Sequence, residues 1–305
     1  MTNTLAIWLD AARPKTLPLA IASITTGSSM ALLNGQLSLP IMFLALLTAI
    51  LLQILSNLAN DYGDAVKGTD NEARLGPTRA MQSGAVTPQM MRRAIAINIA
   101  LTIASGLALV LYALQSPSSI IAFLLLGLLA IISAIAYTVG SKPYGYVGLG
   151  DLSVFIFFGL LGVAGTYFLH TGTLSSDVFL PALGCGLLAV AVLNINNMRD
   201  IDNDRACGKK TMAVRLGSGK AKLYHMLLLA GGGAAFIAYL WLNTYITLWS
   251  MIMLAAIALL LKHGKAVLAA KQPVELAPMM PVIVKCALVT NLLFSIVITG
   301  QTLAS

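Results

Sequence analysis

Residues 39–64 read LPIMFLALLTAILLQILSNLANDYGD, an apolar run that closes on Asn60, Asp61 and Asp64. A helix crosses the hydrocarbon of a bilayer in about 20 residues, and the stretch from Leu39 to Ala59 meets that need. Its polar end is informative, because Asn60 and Asp64, four residues apart, project from one face of a helix. A second apolar run ends the same way, in Asn196-Asn197-Met198-Arg199-Asp200-Ile201-Asp202-Asn203-Asp204, where Asn196, Asp200 and Asp204 repeat the spacing. Elsewhere charge is scarce: 58% of the 305 residues are hydrophobic and 10% charged. Acids gathered at two helix ends of such a chain require a cationic partner.

Similar runs recur, giving candidate spans Leu17 to Leu33, Leu39 to Ala59, Ile95 to Leu114, Ser119 to Val139, Leu152 to Leu169, Val178 to Ile195, Leu223 to Leu242, Ile246 to Leu261 and Val282 to Leu303. The predicted fold is all-α: a polytopic membrane protein, one bundle of nine transmembrane helices forming a single domain over residues 1–305. Lys and Arg favour the cytoplasmic loops of a membrane protein. All 19 of them fall on one side of this topology, including seven between Arg199 and Lys222. The opposite loops carry only Asp177 and His170 as ionisable groups. The amino terminus is therefore predicted inside and the carboxyl terminus outside, with both acidic clusters at the cytoplasmic face. A cleaved leader is not expected, since Met1 to Asp10 has no basic start.

The net charge of +8 does not indicate nucleic-acid binding, because the bases are spread over short loops with no recognisable binding module. Anionic lipid is the simpler partner. Cys185, Cys207 and Cys286 are odd in number and lack metal-ligand spacing, so packing is their expected role. His170, His225 and His263 stand alone in the sequence and none is assigned to catalysis. Asp61, Asp70, Glu72 and Asp202 read as caps or solvated loop residues as readily as ligands. Asp151 reads as a helix cap, and Tyr62, Tyr137, Tyr144 and Tyr146 as interface anchors. Gly159, Gly162, Gly165 and the run Gly231-Gly232-Gly233 suit close helix packing in lipid.

The chemistry of the two clusters points to magnesium. That ion prefers octahedral oxygen ligands, keeps several waters, and is usually held by one or two carboxylates together with substrate phosphates. Asn60 with Asp64, and Asn196 with Asp200 and Asp204, meet that need twice, which suggests a bound diphosphate. Two magnesium ions bring roughly +4, against about −3 from three carboxylates and about −3 from an ionised diphosphate. Inside bases would neutralise the remainder, and Arg79, Lys142 and Lys209 are the candidates, arginine being suited to bidentate phosphate contact.

These residues resemble the paired aspartate motifs of the UbiA superfamily of intramembrane prenyltransferases. The longer strings Arg13-Pro14-Lys15-Thr16-Leu17-Pro18, Asn57-Leu58-Ala59-Asn60-Asp61-Tyr62-Gly63-Asp64-Ala65-Val66-Lys67-Gly68 and Tyr137-Thr138-Val139-Gly140-Ser141-Lys142-Pro143-Tyr144-Gly145-Tyr146 are similar to its naphthoate-prenylating, menaquinone-pathway branch. The resemblance implies an enzyme. Its expected substrates are a polyprenyl diphosphate and 1,4-dihydroxy-2-naphthoate, its products demethylmenaquinol, carbon dioxide and diphosphate. It also implies Mg2+ held by Asn60, Asp64, Asn196, Asp200 and Asp204, with Asp64, Asp200 and Asp204 catalytic. The expected location is the inner membrane, the site facing the cytoplasm, with no nucleic acid and no obligate protein partner. Gly68 stands where the superfamily's first motif often has a third acid.

Two other classes fit less well. A transporter ordinarily shows ionisable or broken-helix sites near the bilayer midplane, whereas these acids lie at one face. A CDP-alcohol phosphotransferase carries an Asp-Gly…Ala-Arg pattern that neither cluster shows.

Overall fold

The computed structural model describes residues 4–243 and 246–304. Among these residues every regular element is helical. The long elements are α1 (Thr4–Ala12), α2 (Pro18–Leu33), α3 (Leu39–Val66), α4 (Pro88–Ala113), α5 (Pro117–Ala136), α6 (Gly150–Thr171), α7 (Phe179–Arg199), α8 (Ile201–Ala206), α9 (Met212–Leu242), α10 (Met253–Ala269) and α11 (Met279–Ala304). Proline opens the first turn of α2, α3, α4 and α5, where its missing N–H is not needed and its fixed φ suits the helix.

Eight helices among the described residues are long and apolar enough to cross a bilayer. The pair Thr4–Thr16 and Pro18–Leu33, bent by 47°, raises the number to nine when read as one broken span, which matches the expected bundle. Several helices outrun the hydrocarbon-length spans read from sequence. α3 continues to Val66, so Asn60 and Asp64 ride on the helix itself. Intrahelical hydrogen bonds satisfy the backbone equally well in the interface, so nothing forces a helix to end where its apolar run ends.

Burial sets the layering. In the spans Ser176–Arg199 and Pro117–Ala136, 72% and 6% of the apolar window is buried, so α7 is the central helix and α5 faces lipid. Small residues allow the close approach at the centre. A Cβ on Gly159 of α6 would lie 2.6 Å from the Ala182 carbonyl oxygen of α7, as expected of a packing glycine. Residues Phe155–Gly165 of α6 wind in the wider i→i+5 pattern, a feature frequent near functional sites. The three cysteines are free thiols, as their spacing implied.

His225 and His263 are not isolated in space. α9 and α10 bring their Nε2 atoms to 3.1 Å with both rings buried, a contact made by helix pairing and invisible to sequence spacing.

Candidate functional site

α3 and α7 carry their polar ends to the same end of the bundle, where a cavity of about 690 Å3 opens. Asn60, Asp64, Asn196, Asp200 and Asp204 all line it, and apolar side chains of α4, α5 and α6 line its depth. All five oxygen-bearing residues singled out from sequence therefore meet in one place. The geometry differs from the simple expectation in one respect. Asp200 leaves helical geometry, with φ −98° and ψ 16°, so Asn196 belongs to α7 and Asp204 to the short α8. The backbone bonds Asp200 N–H to Asn196 O (3.3 Å) and Asp204 N–H to Asp200 O (2.8 Å) continue across the break, which keeps the three side chains aligned.

The two clusters are braced against each other. The Thr69 N–H donates to the Asp64 carbonyl at 2.9 Å, and Asn203 Nδ2 donates to the Thr69 carbonyl at 2.9 Å, tying the segment after α3 to α8. Thr138 Oγ1 donates to the Ala59 carbonyl at 3.0 Å and to Asn60 Oδ1 at 3.3 Å. Gly63 permits that approach, since a Cβ there would sit 2.5 Å from Thr138 Oγ1 and 2.8 Å from its carbonyl carbon.

Each acid has a distinct electrostatic setting. Asp64 accepts from Tyr146 Oη at 2.7 Å and pairs with Lys209 Nζ at 3.1 Å. Burial, then the Asp64 charge, pushes the Tyr146 phenol up, so it remains a donor. The Lys209 ammonium also lies 5.1 Å from the Tyr146 ring centroid. Burial works against the charge of Asp200, but hydrogen bonds and charge from Arg199, at 2.5 Å, with Arg74 at 3.6 Å, hold its carboxyl below the usual range. For Asp204, burial dominates; Asp200 and Asp64 add to it against the pull of Lys209, and the carboxyl is pushed up to about 7.

The bases divide. Arg79 and Lys209 line the cavity, whereas Lys142 is exposed and outside its lining. Arg13 and Arg74 also line the cavity and were not singled out from sequence. The signal available for Arg13 was the string Arg13-Pro14-Lys15-Thr16-Leu17-Pro18, whose helix-breaking prolines mark a turn. Two acids left open between solvent and ligand roles, and one tyrosine read as an anchor, contact residues that line the cavity. Asp61 is 1% exposed and paired with Arg13 and Arg79; Asp70 pairs with Arg74 at 3.2 Å; Tyr146 holds Asp64. Asp202 stays solvated as expected, 76% exposed. Asp151 accepts from Tyr224 at 2.9 Å and caps no helix through its side chain.

The donor set fits magnesium. Among the described residues no three acidic, histidine or cysteine side chains form a closed cage. An open set of carboxylates and amides matches an ion that takes few protein ligands and completes its shell with water and phosphate. The Asp204 carboxyl, raised chiefly by burial and further by Asp200 and Asp64, is one that a bound cation would hold in its charged form.

A model of the UbiA prenyltransferase family matches residues 20–289. The chain is 52% identical over 287 residues to the 1,4-dihydroxy-2-naphthoate octaprenyltransferase of Escherichia coli, covering 94% of this chain and 93% of that protein. Its identity to the Haemophilus influenzae protein of the same name is 47% over 302 residues, covering 97% and 96%. Among solved structures, a UbiA homolog from Archaeoglobus fulgidus bound to DMAPP and Mg2+ superposes with a TM-score of 0.64 at 16% identity, covering 94% of this chain and 98% of that one. A UbiA homolog from Aeropyrum pernix superposes at 0.63 with 20% identity, covering 90% and 98%. At these identities the structural likeness speaks for the fold.

Proposed function

The chain belongs to the UbiA prenyltransferase family, and from that premise we propose that it transfers a polyprenyl group from polyprenyl diphosphate to 1,4-dihydroxy-2-naphthoate. Diphosphate and carbon dioxide leave, and the product is demethylmenaquinol, for menaquinone biosynthesis. The names of the two bacterial relatives favour an eight-unit prenyl donor. One observation carries the reading: oxygen ligands from two distant segments, with Arg79 and Lys209 beside them, stand at the mouth of an apolar cavity.

Asn60, Asp64, Asn196, Asp200 and Asp204 are assigned to Mg2+, with Asp64, Asp200 and Asp204 catalytic and Arg79 and Lys209 on the diphosphate. Bound magnesium would supply Lewis-acid stabilisation of the negative charge that builds on the departing diphosphate. Arg79 and Lys209 add fixed positive charge at the same place, worth most where water is excluded. The apolar walls hold the tail and keep water from the allylic cation. The electron-rich naphthoate ring attacks that cation at the carbon bearing the carboxylate, and loss of carbon dioxide restores aromaticity. The distribution of Lys and Arg supports a site open to the cytoplasm in the inner membrane, over a single catalytic domain of residues 1–305.

Lys142 stands outside the contact set. Lys142→Ala is expected to change KM for prenyl diphosphate by less than about twofold, against roughly tenfold or more for Lys209→Ala, in kinetics with varied donor. The reading as a whole is tested with detergent-purified protein, dihydroxynaphthoate, prenyl diphosphates of several lengths and magnesium. Prenylated, decarboxylated product by mass, abolished by a chelator and restored by added Mg2+, is the expected result. Product that retains the carboxylate would redirect the assignment to another aromatic acceptor.

A further inference from the structure

The cations around the cavity are not evenly matched with acids. Lys209 is committed to Asp64, Arg199 to Asp200 and Asn196, and Arg74 to Asp70 with Asp200 nearby. Arg13 and Arg79, by contrast, share the single carboxylate of Asp61. The Nε of each is buried without a hydrogen bond, that of Arg79 lying 3.5 Å from the shared carboxylate. Burial, then the neighbouring charges of Arg13 and Arg74, lowers the Arg79 guanidinium to about 9, and the geometry leaves two guanidiniums against one carboxylate. Such a place is completed by an anion.

The guanidinium of Arg13 stands beside Arg79 at Asp61, but the turn that carries it reaches deeper into the cavity. Gln53, Asn57, Asn60 and Asp64 follow one another at helical spacing along the cavity face of α3. Arg13 lies beside the inner part of that stripe: Asn57 Nδ2 donates to the Ala12 carbonyl at 2.9 Å and to Thr16 Oγ1 at 3.2 Å, and Gln53 Nε2 reaches Thr16 Oγ1 at 3.4 Å. Thr16, Gln53 and Asn57 thus form a polar shelf between the acidic mouth, where the Arg13 guanidinium meets Asp61, and the apolar depth. Among the described residues Arg13 is the one non-glycine residue with positive φ, at 52°. That left-handed turn is strained for a residue with a Cβ, and it breaks α1 from α2 so that the Arg13 side chain enters the cavity. Strain of this kind is kept where it positions a group.

We infer that Arg13, oriented by Asp61, binds the carboxylate of the aromatic acid acceptor, with Thr16, Gln53 and Asn57 as polar partners for the hydroxylated ring. The inference rests on the acceptor proposed above. It places the carboxylate on the shelf next to the start of the tail cavity, where the ring carbon that carries it faces the prenyl carbon released by the diphosphate. Asp61 then links the two anion sites, holding Arg13 for the acceptor and Arg79 for the donor at a fixed separation.

Binding by two probes of one ring system separates the carboxylate from the rest of the ligand. 1-Hydroxy-2-naphthoate and 1-naphthol are titrated into wild type, Arg13→Gln, and the double variant Arg13→Gln/Asp61→Asn, which leaves no unpaired buried acid should the single variant fold poorly. Wild type is expected to prefer the carboxylate-bearing probe. Both variants are expected to bind that probe about 10–100-fold more weakly and 1-naphthol unchanged, and Arg13→Gln, which keeps the Asp61–Arg79 pair, to hold a prenyl diphosphate analogue within about threefold of wild type. Arg13→Lys is expected to recover part of the preference, since a point charge replaces a fork. Equal weakening of both probes, or an unchanged preference, would overturn the inference while leaving the proposed reaction standing. Should wild type itself show no preference for the carboxylate, both the inference and the proposed acceptor would fall.

Discussion

Asp64→Ala is expected to lower turnover by about 1,000-fold or more while leaving the yield of membrane-inserted protein unchanged. Asp64 lies in the last turns of α3, beyond the apolar run that drives insertion, so no hydrophobic span is altered. Its side chain is 14% exposed at the cavity mouth, where water can reach the groups it leaves behind. Lys209 loses its carboxylate at 3.1 Å but keeps the Tyr146 ring 5.1 Å away, and Tyr146 keeps Thr69 at 2.6 Å. The fold therefore loses little. The metal assignment loses one of its charged ligands, so the concentration of Mg2+ that gives half-maximal turnover is expected to rise at least tenfold in Asp64→Asn, which keeps the shape and removes the charge. Magnesium titrations of wild type and both variants check this, and ordinary turnover in either variant would remove Asp64 from the metal set.

The sequence made the membrane class, the number of spans and the two acidic ends legible, because each rests on local periodicity. A four-residue spacing and a 20-residue apolar run are properties of one helix. What stayed hidden depends on how helices pair. Asp61 sits between Asn60 and Tyr62 like any loop acid, and only the approach of the Arg13 turn and the segment carrying Arg79 makes it a buried counter-ion. Tyr146 looked like an interface anchor until the folding of the segment after α5 brought its hydroxyl to Asp64. Lys142 differs in the opposite direction: an inside base after an inward-running helix is a fair candidate for any anion, and the structure leaves its side chain exposed and outside the cavity lining. At the Asp200 break the contact is between sequence neighbours, Arg199 folding back on the following carboxylate through two nitrogens, at 3.1 and 2.5 Å.

That last contact separates the two acidic ends in a second experiment. Asp200→Ala is expected to abolish turnover as Asp64→Ala does, but also to cost stability, about 3 kcal/mol. Both members of the Arg199–Asp200 pair are 4% exposed, so removing the acid leaves a guanidinium buried without its counter-charge. Asn196 Oδ1, at 2.9 Å, satisfies one of its hydrogen bonds and none of its charge. Arg74 is left in a similar position, with only Asp70 to pair with. The prediction is checked by thermal unfolding in detergent, where Asp200→Ala should melt several degrees below Asp64→Ala. Adding Arg199→Met to Asp200→Ala removes the orphaned charge and keeps an unbranched stem of similar reach. The double variant should then regain most of the lost stability and none of the turnover. Recovery of activity along with stability would mean that Asp200 serves the fold alone. No recovery of either would mean that Arg199 has a second buried partner on which the end of α7 depends.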